Sequence, residues 1–486
     1  MPTQYLTEAN MRLTLAFLLG LTASLGFAAE KPNIVVIVSD DQGYNDLGVL
    51  GDHIITPNLD RLAREGVRLT NYYVAWPACT PSRGAWLTGR YPQRNGIYDM
   101  IRNEAPDYGY KYPPDQYAVT WERIGGMDTR EVLLPRMLEE AGYYSGIFGK
   151  WDLGMHRRFL PLQRGWNEFY GFVNTGIDYY THERYGVPSM YRDNEPTTED
   201  KGTYCTDLFR REAVRFINEN KDRPFFLYLP FNAPHGASNL DPVIRTGGAQ
   251  APEEWRKMYP ELHAREGAQE GTRYGEPAKV ANKALRQANY LGAVTAMDAA
   301  IGEVLELLDK YKLAHNTIVV FFSDNGGSGG ADNAPLRGGK GQVFEGGIRV
   351  CCLARYPGRI PANSVSDEFV TSMELLPTLL NLADVKPPEG VILDGFDVMP
   401  VLAEGKPSPR KDMFWKRQGH EAARVDNWKW IRNPSGTFLF DLSKDIGEKT
   451  NLIDKMPEKA AEMEARFAAW LKTMDEAEPR GPFKDF

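Results

Sequence analysis

The chain of 486 residues is 42% hydrophobic and 25% charged, values ordinary for a globular protein and long enough for a large core. A net charge of -8 gives no sign of nucleic-acid binding, and a polyanionic ligand would need a local basic pocket. Four cysteines in this length exclude a disulfide framework, although a single bond from Cys205 to Cys351 or Cys352 stays open.

Met11 to Ala29 carries one Arg, an apolar run too short to span a bilayer, and small residues at Gly26 and Ala28. That is the layout of a secretory signal peptide, so residues 1–29 are read as leader. Export places the protein in a periplasm or outside the cell. No later stretch is apolar enough for a membrane span.

Asn33 to Ser39 (NIVVIVS) is a nearly continuous apolar run, the mark of a strand buried on both faces. Thr56-Pro57 opens a helix, with Thr56 as N-cap and Gly66 as its stop. Val67 to Thr70 reads as a strand. Glu131 to Ala141 reads as a helix despite Pro135, and Tyr143 to Phe148 as the next strand. Tyr204 to Asn220 is helical, Phe225 to Leu229 a strand, Lys283 to Tyr311 a long helix and Thr317 to Ser323 a strand. The stretch Arg245 to Pro277 reads as a mobile excursion. This alternation predicts a doubly wound α/β sheet over residues 30–394. From about Gly395 the texture changes. Aromatic segments at Met413–Lys416, Trp428–Ile431 and Phe438–Phe440, then a helix at Pro457–Met474, predict a small antiparallel-sheet-plus-helix domain over 395–486.

Ligands of open α/β sheets sit beyond the carboxyl ends of strands. Asp40 and Asp41 follow the first strand; Lys150 and Asp152 follow another. Asn232-Ala-Pro-His235 follows a third, and Asp324 and Asn325 a fourth. Any one of these is an ordinary turn residue; four together at one edge are hard to explain as turns. Asp40, Asp41, Asp324 and Asn325 are hard oxygen donors, which suits Ca²⁺ or Mg²⁺ rather than Zn²⁺. Crowded carboxylates also need a cation between them. Cys79-Thr80-Pro81-Ser82-Arg83 places Cys79 at a helix N-terminus, where backbone N–H groups favour an anion and position alone would favour a thiolate.

C-x-P-S-R followed by L-T-G-R at Leu87 to Arg90 resembles the signature of the type I sulfatases of the alkaline-phosphatase superfamily. SDDQGYND at Ser39–Asp46, GKWDLG at Gly149–Gly154, SDNGG at Ser323–Gly327, LRGGKGQVFEGGIRV at Leu336–Val350 and FDLSKDIGEKTNL at Phe440–Leu452 extend the resemblance over nearly the whole chain. It implies a large mixed, mostly parallel sheet sandwiched by helices. It further implies that a separate formylglycine-generating enzyme oxidises Cys79 to formylglycine. Asp40, Asp41, Asp324, Asn325 and modified Cys79 would hold Ca²⁺, with Mg²⁺ as the alternative. Arg83 would hold the aldehyde hydrate and the metal carboxylates. Lys150 and Lys340 would clamp sulfate oxygens, and His235 would act as general acid.

The chain departs from the family at Asp152, where a His is usual; a carboxylate there can serve as base but adds negative charge beside the sulfate. Asp178 and His182, in a loop resembling the substrate loop of carbohydrate-acting members, are candidates for bonding sugar hydroxyls. Tyr179, Tyr180 and Trp255 are candidates for stacking on a ring. The expected activity is sulfate-ester hydrolysis on a sulfated saccharide. A phosphonate monoester or phosphodiester hydrolase, and an inactive sulfated-glycan-binding protein, are the competing readings.

Overall fold

Seven consecutive buried residues from Asn33 to Ser39 require a neighbour on each side and a layer on each face, and the tertiary structure supplies all four. The computed structural model describes residues 31–101, 126–184, 186–238, 248–265 and 283–480. The expected leader and much of the 245–277 excursion lie outside these residues. Asn33–Ser39 pairs in parallel with Thr317–Ser323 on one side and Phe225–Pro230 on the other, and Phe225–Pro230 pairs in parallel with Tyr144–Lys150. These four lie in the middle of a ten-stranded sheet. Its outer members include Cys352–Arg355, antiparallel to Thr317–Ser323, and Met190–Arg192, antiparallel to Glu168–Phe172. The sheet is thus mixed but parallel at its centre.

Alternate side chains of the central strand enter separate cores, as the two-residue period of a strand demands. Val35 and Ile37 pack with residues of the helices Pro57–Arg64, Cys205–Asn220 and Lys283–Lys310. Ile34, Val36 and Val38 pack with the helices Cys79–Thr88, Leu134–Glu139 and Leu375–Leu382. Burial on both faces explains why the strand carries no polar alternation.

Three local expectations are refined. The helix read over 131–141 forms only at Leu134–Glu139, because Pro135 belongs in its first turn. The helix Pro57–Arg64 ends before Gly66, at Glu65. Thr56 stands at its N-cap without a capping bond. Its hydroxyl instead donates to Asp60 Oδ1 (3.1 Å) and accepts from the Gly48 N–H (2.7 Å). The free N–H groups of that helix go to Asp298, on the long helix. Its carboxylate accepts from Asn58 N at 3.1 Å, Asn58 Nδ2 at 2.9 Å and Leu59 N at 2.7 Å.

The C-terminal region folds as a four-stranded antiparallel sheet in chain order: Asp412–Arg417, His420–Val425, Trp428–Asn433 and Gly436–Asp441. The aromatic pattern missed His420–Val425, which presents Ala422 and Ala423 to a shared core with Met463 and Phe467 of the helix Pro457–Asp475. Small residues there leave room for the helix. That core also takes in Tyr73, Ala85, Phe344 and Ile348, so the sheet packs against the segments that carry Lys340 and Cys79. All four cysteines are buried and free, which rules out the Cys205 disulfide. Among the described residues no helix is long and apolar enough to cross a membrane.

Asp298 joins two helices through hydrogen bonds, so Asp298→Ala leaves two backbone donors, Asn58 N and Leu59 N, and the Asn58 amide unpaired. Urea unfolding should show a loss of about 2–4 kcal/mol. Burial pushes this carboxyl from 3.8 up to about 6 in the folded protein. A raised folded value means the stability it contributes is greatest at low pH and falls as pH rises through that window. Asp298→Asn should flatten that part of the pH–stability curve; an unchanged slope would show that the carboxyl does not titrate there.

Candidate active site

The four central parallel strands end at one edge, and each delivers its expected residues there. Asp40 and Asp41 leave Asn33–Ser39, Asp324 and Asn325 leave Thr317–Ser323, and Lys150 is the last residue of Tyr144–Lys150. His235 follows Phe225–Pro230 after a short turn. Asp41 takes a left-handed conformation (φ 69°), turning the two adjacent carboxylates to different partners. Gly149 (φ 131°) lets the neighbouring strand lie close: a Cβ there would stand 1.9 Å from the Pro230 carbonyl oxygen.

Cys79 is the first residue of the helix Cys79–Thr88. Its Sγ lies 3.3 Å from Asp40 Oδ1 and 3.2 Å from Lys340 Nζ. The thiol therefore meets the acidic strand tips rather than the apolar interior. Arg83, one turn on, sends Nε to Asp324 Oδ2 at 2.9 Å and Nη2 to the same oxygen at 2.7 Å. Its Nη1 donates to the Tyr228 hydroxyl at 3.3 Å. Lys150 Nζ lies 2.7 Å from Asp40 Oδ2, and Lys340 Nζ lies 2.7 Å from Asp41 Oδ1. Three carboxylates and three cations thus interleave in a buried space.

This packing sets the protonation of each group. Burial alone would raise the Asp41 carboxyl, but Lys340 and His235 outweigh it and hold it below the usual range. Burial and Asp40 push the Asp324 carboxyl up to about 6. Burial and Asp40 also push the Cys79 thiol well above its ordinary value, against Lys150 and Lys340. The expectation of a thiolate by position is therefore corrected: the helix N-terminus does not overcome desolvation beside a carboxylate. As a plain cysteine the side chain is a neutral thiol, a poor nucleophile.

His235 Nδ1 lies 2.8 Å from the Gly236 carbonyl oxygen. A carbonyl only accepts, so Nδ1 carries the proton and the lone pair of the neutral ring is at Nε2. Nε2 stands 3.8 Å from Asp41 Oδ2. Burial and Lys340 hold the imidazole well below its usual range. The ring lies close over Gly176, where a Cβ would come within 2.8 Å of it.

The clustered donors could hold a divalent cation, two of them hard carboxylates and two of them a softer thiol and imidazole. Asp40, Asp41, Cys79 and His235 each place a ligand-type atom within 4.8 Å of the others. Asn325 donates its Nδ2 to Asp41 Oδ1 at 2.8 Å, while its Oδ1 is buried without a hydrogen-bond donor among the described residues. An orphaned amide oxygen beside carboxylates is a ready hard ligand. His235 joins this group although the sequence pattern assigned it only to acid catalysis.

Asp152 is buried and left-handed (φ 58°), with its carboxylate 3.5 Å from Lys150 Nζ. Burial pushes it up to about 6, only partly offset by Lys150 and Arg83. The expected substrate-loop residues sit differently. Asp178 accepts from the Tyr180 and Thr181 N–H groups (2.9 and 2.7 Å) and from Gln250 Nε2 (2.8 Å). His182 is left-handed (φ 59°), with Nε2 2.8 Å from the Thr203 carbonyl oxygen. Both are buried, and these hydrogen bonds hold the loop. Tyr179 is buried as well, its hydroxyl donating to the His235 carbonyl oxygen at 2.8 Å; it anchors the His235 turn instead of offering a ring face. Tyr180 and Trp255 are partly buried beside the same core. The sequence pattern missed Ser328, whose hydroxyl donates to Asp41 Oδ2 at 2.9 Å, and Tyr228. Neither carries a local signal, since one is a loop serine and the other an ordinary strand aromatic.

A family model described as Sulfatase matches residues 32–385, and one described as N-sulphoglucosamine sulphohydrolase, C-terminal, matches residues 339–476. The N-acetylgalactosamine-6-sulfatase of Canis lupus familiaris is 34% identical, over 84% of this chain and 73% of its own. Human arylsulfatase A is 31% identical, over 90% of this chain and 86% of its own. The crystal structure of Ps i-CgsB in complex with k-i-k-neocarrahexaose superposes with a TM-score of 0.75 at 31% identity, covering 91% of this chain and 93% of that one. With the strand-tip carboxylates and the helix-borne cysteine in one buried cluster, the chain belongs to the sulfatase family of sulfuric ester hydrolases.

Proposed function

We propose that the protein hydrolyses sulfate esters of a sulfated carbohydrate, using formylglycine made from Cys79 by a separate generating enzyme and a divalent cation, Ca²⁺ in preference to Mg²⁺. The observation that carries this reading is the placement of Cys79 at a helix start, between Asp40 and Lys340. A saccharide substrate is supported by the N-acetylgalactosamine-6-sulfatase relative and the carrahexaose-bound structure. Action outside the cytoplasm is supported by the leader pattern over 11–29.

Formylglycine, as its hydrate, would supply one hydroxyl for attack on sulfur as the S–O bond to the leaving alcohol breaks, and a second whose proton loss would re-form the aldehyde C=O as the C–O bond to sulfate breaks. Asp40, Asp41, Asp324, Asn325 and modified Cys79 would hold the cation, which would supply Lewis-acid polarisation and take up carboxylate charge. Lys150 and Lys340 then have charge to spare for a tetrahedral anion, and fixed cations around a transferring sulfuryl group stabilise its transition state without reorganisation. Arg83 secures Asp324 and presents its guanidinium beside Asp40. His235 must gain a proton at Nε2 to act as acid toward the leaving alcohol; Asp41 on that side favours the imidazolium, against the burial and Lys340 that hold the ring neutral. Asp152, buried beside Lys150 and pushed up to about 6, would be the base for the second hydroxyl.

Mass spectrometry of the peptide containing Cys79 should show the aldehyde. Such protein should turn over an aryl sulfate, and defined sulfated saccharides, well ahead of a phosphodiester with the same leaving group. Faster turnover of the phosphodiester would overturn the sulfatase specificity, and binding without turnover of any ester would mean a glycan-binding role. Asp152→Ala should slow sulfate release by about 10²-fold and let the sulfated protein accumulate, visible as a mass increase during turnover. Unchanged turnover would remove Asp152 from the mechanism.

A further inference from the structure

The sequence FDLSKDIGEKTNL closes the C-terminal sheet and contains no group that touches the reacting centre. Glu448, within it, is nonetheless fully buried and left-handed, with φ 51°. A glutamate in that conformation is strained and persists only where its surroundings over-determine it. Its partners show what holds it. The side-chain Oε2 accepts the Glu345 backbone N–H at 2.7 Å, and its own carbonyl oxygen accepts Arg337 Nη1 at 2.9 Å. Arg337 and Glu345 flank Lys340 on either side. The two ends of that segment are also tied to each other, Gly346 N donating to the Arg337 carbonyl oxygen at 2.8 Å.

The rest of the anchor is electrostatic and buried. Lys429 Nζ lies 2.8 Å from Glu345 Oε1 and 3.5 Å from Glu448 Oε1. Tyr73 donates its hydroxyl to Glu345 Oε2, and Arg349 Nη1 stands 3.5 Å from that oxygen. Lys429, Glu345 and Glu448 are all fully buried. Such an arrangement is a weak source of stability but a strict one of geometry, because removing one partner leaves an uncompensated charge. At the far end of the segment the backbone is fixed by Gly341 N to the Pro77 carbonyl oxygen at 2.7 Å, and by Arg417 Nη1 to the Gly341 carbonyl oxygen at 2.8 Å. The Lys340 ammonium, which reaches both Asp41 and Cys79, therefore projects from a closed loop pinned at its base by Glu448, in the turn that follows the last strand of the C-terminal sheet.

We infer that Glu448 is a positioning residue for Lys340: by gripping both ends of the 337–346 loop it sets where that ammonium meets the sulfate group. The inference rests on the proposed role of Lys340 as an anion clamp. A one-ångström misplacement of such a group is enough for a large loss, so Glu448→Ala should weaken binding of inorganic sulfate to aldehyde-bearing protein by about tenfold. Glu448→Gln keeps an acceptor for the Glu345 N–H and should restore most of it. The decisive measurement is a double-mutant cycle by titration calorimetry with inorganic sulfate. In a Lys340→Ala background, Glu448→Ala should produce no further loss. Multiplying losses, or sulfate affinity unchanged by Glu448→Ala alone, would overturn the inference. If Lys340→Ala itself leaves sulfate affinity unchanged, the clamp reading fails instead. Should Glu448→Ala not fold, Arg337→Ala, at an exposed residue, removes the other half of the grip; the same cycle with that variant decides.

Discussion

The whole site depends on keeping several carboxylates buried at one sheet edge. Asp40, Asp41 and Asp324 are all within a few per cent of complete burial, and isolated charges in such a place are expensive. Arg83, Lys150 and Lys340 make the arrangement tenable, each within 3 Å of one of them. The cations come from three different places: a helix, a strand end and a loop. The fold therefore has to bring distant segments together before the carboxylates become tolerable, and stability and function draw on the same contacts.

That compensation also explains the chemistry of residue 79. A helix N-terminus favours an anion, but a desolvated sulfur beside a carboxylate is held neutral. Asp152 adds a fourth carboxylate, which burial pushes up to about 6, only partly offset by Lys150 and Arg83. The local electrostatics thus accommodate a carboxylate where the family usually has a histidine.

The C-terminal sheet is part of the same economy of position. It shares a core with Phe344 and Ile348 and its closing turn holds the segment that bears Lys340. Small size and late placement in the chain do not make it an appendage. The left-handed Glu448 is the clearest sign, because strain in a buried residue is maintained by the surrounding contacts rather than by its own preference.

Chain order and pattern determined a good deal. The run NIVVIVS could only be a strand buried on both faces, TIVVFFS likewise, and the residues after them had to meet at one edge because parallel strands align their carboxyl ends. The cysteine motif fixed a helix start. What needed the tertiary structure were roles decided by neighbours far away in sequence. Thr56 reads as a cap, yet Asp298, some 240 residues later, takes its place. Asp178 and Tyr179 read as sugar contacts, yet their polar atoms are bound by backbone groups and Gln250. Glu448 reads as one residue of a closing turn, and its partners at Arg337 and Glu345 lie more than a hundred residues upstream. Local pattern reports what a residue prefers; burial and long-range pairing decide which of its atoms remain available.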